Sequence, residues 1–393
     1  MTFKTRLSVL LISTPVLAFV IIGGLMGTGS AATDDDQTMQ HLRVFDDVVS
    51  LVLNNYVEEV KVDRAMEGAL RGLADGLDPD SAYLNVKQVR ELEAGAAAAE
   101  GDVGIELTRQ YYLRVIAARD GSPAAKAGLQ TGDYVRAIDG KPTREMSVFE
   151  GSRLLRGQPG SKVALTVIRG NAAEPHEVAL VREKPSGPVV SSRMLNADTG
   201  YVRIAAFRSG VAEELRKQVT ALTKSGAASL VVDVRRTAEG NYDDGIAAAR
   251  LFVKSGTLAV KAGREAAGPG ESIKAAGGDG EVTVPVSVLI SAGTSGAAEI
   301  FAAALDGNSR AELVGEQTLG RAGLQKLVKL PEARGLWLTY VRYLAPNGDA
   351  IHGKGLDPDA AVAEPEVEFG AVPATRDPIL DAAIERLKGK KAA

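Results

Sequence analysis

The sequence predicts an α/β protein, and three observations carry that expectation. Between about residues 200 and 362, short β-branched apolar runs alternate with segments whose apolar residues recur at three- and four-residue spacing, the pattern of a sheet covered by helices. From about residue 38 to 92 the spacing is helical, set by Leu42, Phe45, Val48, Val49, Val52 and Leu53. Inside the alternating region, residues 286–304 read VSVLISAGTSGAAEIFAAA: an apolar run to Ile290, a small-residue turn, then an alanine-rich helix carrying Glu299, Ile300 and Phe301. A strand, turn and helix start of this kind places a residue among unpaired N–H groups at the positive end of a helix dipole, where a developing anion is stabilised. An acyl-transfer nucleophile is suited to such a turn.

At the amino end, Lys4 and Arg6 precede an uncharged run over residues 7–27, interrupted by Pro15 and Gly23-Gly24. Small residues at 29–32 then lead into Asp34-Asp35-Asp36, so residues 1–32 are expected to be a cleaved signal peptide or a retained membrane anchor. Either way the rest of the chain is expected outside the cytoplasmic membrane, in the periplasm where there is one. The helical region, 38–95, holds a second helix with Ala65, Ala69, Leu70 and Leu73, stopped at Gly76. Leu77-Asp78-Pro79-Asp80-Ser81-Ala82-Tyr83-Leu84 follows as a capped turn between helices, and residues 93–101 form an alanine-rich hinge.

Strands are expected at 103–107 and 112–117 and a short helix at 122–127, ending at Gly128. Ser122-Pro123-Ala124-Ala125-Lys126-Ala127-Gly128-Leu129, followed by Gly132-Asp133-Tyr134-Val135-Arg136-Ala137-Ile138-Asp139-Gly140, resembles the core of bacterial PDZ domains, here spanning 101–184. The resemblance implies that an extended C-terminal peptide adds to an edge strand, its carboxylate held by backbone N–H groups of Asp102, Val103, Gly104 and Ile105. Val148, Phe149, Leu154 and Leu155 would form the other wall. Related loops often have glycine where this chain has Asp102, and an acid there is expected to weaken carboxylate capture.

After a Pro/Gly linker over 185–196, the core is expected as strand 201–205, helix 211–223, strand 229–234, helix 242–253, strand 257–261, and the strand and helix of 286–304. Residues 263–280 are glycine-rich without periodicity and read as a flexible surface loop. A hairpin is expected over 324–330 and 336–344, and 366–393 as an amphipathic helix, residues 379–387, with a basic tail of Lys388, Lys390 and Lys391.

Much of residues 40–362 resembles the C-terminal processing, or tail-specific, peptidases, which use a Ser/Lys dyad. Residues 77–84 are close to that family's Leu-Asp-Pro-His-Ser-x-Tyr-Leu, and Pro346-Asn347-Gly348 with residues 351–359 to its TPSG-x-x-I-x-GKGI-x-PD tail, in which His352 has no catalytic counterpart. The resemblance implies a crotonase-like peptidase core, 197–365. Its chemistry positions differ. The family's Gly-Ser/Thr-Ala-Ser-Ala-Ser-Glu turn reads here Gly293, Thr294, Ser295, Gly296, Ala297, Ala298, Glu299, with Gly296 at the nucleophile. The Gly-Glu-x-Thr-x-Gly-Lys-Gly-x-x-Gln run reads from Gly315 to Gln325, with Arg321 at the base and Gln325 closing the set. Glycine has no attacking atom, and a guanidinium stays charged where a lysine could be tuned to act as a base. The oxyanion region falls on Glu239, Gly240 and Ala297; Glu239 replaces a glycine, which removes a permissive backbone position and puts an anion near the developing charge. Ser295 is the nearest substitute hydroxyl, turned by about 100° on the helix, and Lys326 a substitute base on paper.

Composition narrows the remaining classes. The absence of cysteine excludes disulfides and a thiol nucleophile, and His41, His176 and His352 lack metal-ligand spacing, so no metal or cofactor is expected. A net charge of −4 gives no nucleic-acid footprint. The leading expectation is an exported pseudopeptidase that binds polypeptide C-termini, unfolded exported proteins or a partner without cleaving them. The alternatives are an active serine endopeptidase with a displaced nucleophile, and an assembly subunit, homo-oligomeric or beside an active paralogue, held at the membrane if its N-terminal segment is kept.

Overall fold

The computed structural model describes residues 32–94, 100–170, 174–264, 270–365, 367–371 and 376–391. The expected export segment, residues 1–31, lies outside them, as does most of the alanine-rich hinge. No helix among the described residues is long and apolar enough to cross a membrane. The chain divides into two units, Met1–Leu70 and Arg71–Ala393. The first is helical: α1 (Ala32–Asn55) and the start of α2 (Val62–Asp75). Leu42, Phe45, Val48 and Val52 on α1 are exposed.

The second unit departs at once from the expected run of helices. Ala82–Leu84 is a strand, β1, because it pairs antiparallel with a later strand through Ala82↔Trp337 and Leu84↔Gly335. Asp78 caps the turn before it, accepting from the N–H groups of Asp80 and Ser81 at 2.9 and 2.8 Å. Helix α3 (Val86–Glu93) then starts on a capping box in which Asn85 and Gln88 exchange hydrogen bonds.

The PDZ-like module is a sheet of β2 (Ile105–Gln110), β3 (Tyr112–Ala118), β4 (Tyr134–Ile138), β6 (Lys162–Ile168) and β7 (His176–Val181), with the short β5 (Lys141–Pro142) beside β4. Two helices accompany it, α4 (Pro123–Lys126) and α5 (Val148–Leu155), N-capped by Ser122 and Ser147. Strand β2 starts two residues later than expected because Gly104 has φ 75°, and a Cβ there would lie 2.2 Å from that of Ser122.

The larger core has two sheets. One runs β17-β14-β13-β10-β9-β8, formed by β8 (Val190–Met194), β9 (Thr199–Ile204), β10 (Ser229–Asp233), β13 (Val286–Ile290), β14 (Ala311–Gly315) and β17 (Ala360–Ala361), parallel except at β8. The other joins β1, β16 (Gly335–Leu344), β11 (Thr257–Gly263) and β12 (Glu271–Lys274), with β15 (Gly323–Lys329) also on β16. The helices are α6 (Val211–Lys224), α7 (Tyr242–Arg250), α8 (Ala297–Gly307) and α9 (Pro378–Lys391). Strand β12 corrects the expectation of an unstructured 263–280 loop: pairing with β11 supplies backbone partners where the side chains show no period. Helix α8 is buried from Ala297 to Leu305, and its Phe301 ring lies 5.6 Å from Phe207 and 5.8 Å from Phe252. An all-round apolar helix has to be enclosed in this way.

Helix α9 reaches Lys391, so the expected basic tail is its last turn. Ile379, Ala383 and Leu387 pack onto Val231, Leu289 and Val314. Arg235 ties its start to the sheet, bonding buried Asp233 at 2.6 Å and Asp377 at 2.8 Å. Burial alone would raise the Asp233 carboxyl, but Arg235, Arg203 and the Tyr201 hydroxyl hold it below its ordinary value of 3.8. A depressed carboxyl contributes stability that is complete above the unfolded-state value and is lost as pH falls through the folded one. Asp233→Asn is therefore expected to cost about 2–3 kcal/mol at pH 7, with the deficit shrinking in denaturation curves taken progressively below pH 3.8.

Candidate active site and peptide groove

The parallel strands β10, β13 and β14 end side by side, and ligands in α/β sheets bind beyond the carboxyl ends of such strands. Three loops leave there: residues 234–241, 291–296 and 316–322. They are stitched together by buried groups. Thr294 Oγ1 donates to the Val234 carbonyl at 2.9 Å and accepts from the Ser291 N–H, the Ser295 N–H donates to Thr237, and the Leu319 N–H to Thr294. Glu299, 0% exposed, accepts from Thr318 Oγ1 at 2.5 Å and from the N–H groups of Gly320, Arg321 and Gly296 at 2.6, 2.8 and 3.0 Å. Burial pushes its carboxyl up, and those four hydrogen bonds act against the rise.

Gly296 begins α8 at φ 65°, ψ −121°, a conformation that strains any other residue. A Cβ on it would meet only the carbonyl oxygens of Arg321 at 3.8 Å and Ala238 at 3.9 Å, ordinary contacts. The structure thus brings Gly296, Arg321 and the 238–240 loop together. Ala297, in the same turn, is buried. Gln325 lies apart on β15, donating to Gly323 and Thr339, both at 3.1 Å. Ser295 is 0% exposed and its Oγ has no hydrogen-bond partner, so no base adjoins it. Lys326 lies over the Tyr340 ring at 4.8 Å.

The Arg321 guanidinium is committed elsewhere. Its Nε lies 2.9 Å from buried Asp80, and its Nη1 3.8 Å from Glu106 of β2. Burial disfavours its charge, yet Asp80, Glu106 and Tyr242 hold its pKa above the ordinary arginine value. The Tyr242 hydroxyl donates to the Arg321 and Gly323 carbonyls, fixing the loop's backbone as well.

Glu239 does not need the backbone freedom of the glycine it replaces: the left-handed positions of its loop are Arg236 (φ 54°) and Gly240 (φ 135°). Its carboxylate is not a bare anion either, since Arg119 of the PDZ-like module bonds it at 3.0 Å and Arg208 at 2.5 Å. The same Arg119 holds both Asp102 oxygens, at 2.6 and 3.2 Å. The charge of Asp102, within the 102–105 loop, is therefore compensated rather than isolated. Sequence reasoning missed Asp80, Glu106 and Arg119. Only Asp80 carried a signal: it is the single acid in place of a histidine in an otherwise close run, opposite a lysine-to-arginine change.

These features define an α/β peptidase-type core whose strand ends face a PDZ module. Residues 198–362 match the model of peptidase family S41 and residues 114–169 that of the PDZ domain. The carboxyl-terminal-processing protease of a Synechocystis species is 31% identical over 79% of this chain and 74% of its own length. That of Bartonella bacilliformis is 29% identical over 87% and 79%. The photosystem II D1 C-terminal processing protease superposes with a TM-score of 0.67 at 27% identity, covering 81% of this chain and 92% of that one. The chain belongs to the carboxyl-terminal-processing protease family.

Two stability measurements check this geometry. Gly296→Ala is expected to cost about 2 kcal/mol, from backbone strain without a clash. Arg321→Ala is expected to cost about 3 kcal/mol by leaving Asp80 buried and unpaired, and Asp80→Asn in the same chain to restore part of it.

Proposed function

We propose that this chain is an exported pseudopeptidase of its family, one that binds polypeptide C-termini without hydrolysing them. The observation that carries this reading is the pair Gly296 and Arg321. Where the family resemblance puts a nucleophile there is no side chain, and where it puts a base there is a guanidinium locked onto Asp80. A side chain accepts a proton only in its deprotonated form, and an arginine in an ion pair keeps its proton. Ser295, enclosed and without a neighbouring base, does not substitute. Binding is supported by the PDZ-like groove: β2 pairs only with β3 among the described residues, α5 lies across from it, and the carboxylate loop keeps Gly104 in its left-handed form. Export rests on the basic-then-apolar amino terminus alone.

Incubated with an unfolded polypeptide, the purified protein is expected to leave it intact and to take no label from a serine-directed phosphonate. Cleavage abolished by a point substitution in this chain would overturn the reading. A peptide with a free C-terminus is expected to bind, and the same peptide amidated to bind at least about tenfold more weakly.

A further inference from the structure

A cleft lies where the PDZ-like groove meets the core. Its apolar floor includes Val103, Ile105, Ala117 and Leu155, and its rim is charged. Each carboxylate on that rim already has a cation: Asp102 has Arg119, Glu239 has Arg119 and Arg208, and Glu106 faces Arg321. Two lining cations form no ion pair among the described residues. Arg156, which ends α5 of the PDZ-like module, and Arg236, in the loop after β10 of the core, feel only the longer-range attraction of Glu106 and Glu364 respectively. Both are exposed, so each guanidinium keeps its donors available to a ligand.

We propose that this cleft is a subsite for polypeptide tails whose last residue is acidic, with Arg156 and Arg236 receiving its side-chain carboxylate. The inference rests on the tail-binding reading and adds a ligand class to it. A tail laid along the free edge of β2 brings its terminal carboxylate to the 102–105 loop. Arg156 is adjacent to that loop, because Gly157 bridges Gly101 through two backbone hydrogen bonds of 2.9 and 3.0 Å. The terminal side chain then sits between the α5 end and the 236–239 loop. An aspartate or glutamate there meets two planar forks able to bind a carboxylate bidentately. An apolar side chain would partly desolvate both cations and give them no partner, and a lysine would be repelled.

The test uses the full chain and three labelled decapeptides, identical except for a final Asp, Ala or Lys, followed by fluorescence anisotropy at low salt. The Asp peptide is expected to bind about tenfold more tightly than the Ala peptide, and the Lys peptide most weakly. In Arg156→Ala/Arg236→Ala, whose exposed substitutions leave the core intact, the Asp-to-Ala ratio is expected to fall within about twofold of one. Equal binding of Asp and Ala peptides to the unsubstituted protein, or an unchanged ratio in the double variant, overturns the subsite while leaving tail binding standing. If none of the three peptides binds, the tail-binding reading itself fails and the subsite with it.

Discussion

Four hydrogen bonds converging on the enclosed Glu299 carboxylate hold the functional end of this molecule together. A carboxyl with no solvent contact is costly unless its lone pairs are filled, and here the filling groups come from two separate loops. Gly296 is held at the start of α8, and Thr318, Gly320 and Arg321 are drawn onto it. Thr318 passes the constraint on, since its Oγ1 also accepts from the Leu356 N–H and its own N–H donates to the Leu356 carbonyl. The backbone of the 316–322 loop is therefore fixed without reference to the side chain at 321. Exchange of that side chain changes the chemistry of the cleft while the scaffold stays.

The same separation means that the scaffold is held independently of the side chains at 296 and 321. The turn before α8 has a left-handed glycine at the position where the resemblance puts a serine, and room for a Cβ remains beside it. The PDZ-like module is pressed against that turn. Gly293 lies so close to the PDZ-like sheet that a Cβ would come within 2.5 Å of the Thr131 hydroxyl and 2.8 Å of the Ile116 carbonyl. Contacts of this kind depend on shape and backbone position, neither of which hydrolysis requires of a serine or a lysine specifically.

Most elements were legible because their periods are strong: the five-residue buried strands β10 and β13 and the enclosed helix α8 have compositions that fit little else. Strands β1 and β12 were not, since each has too few residues to show a period and exists through its partner, β16 or β11. Within the site, the adjacency of Gly296 and Arg321 was implied by the family resemblance, whereas the fate of each charge was not. Asp102 and Glu239 read as isolated acids in sequence. Arg119, which neutralises both, is 17 residues from one and 120 from the other, and no local pattern links them.

Those long-range pairs decide how the two modules act on each other. Arg119 to Glu239, Arg203 to Asp120 at 2.8 Å, and Arg321 to Glu106 all cross between the PDZ-like sheet and the core. Single exposed ion pairs contribute little, but Arg203 and Arg119 are largely buried, and each also bonds groups within its own module. Moving the modules apart would strand several desolvated charges at once, which is far more costly than losing any one pair. Arg119 has a further consequence, because it touches the carboxylate loop through Asp102 and the core through Glu239. The 102–105 loop and the strand ends of the core therefore share one guanidinium.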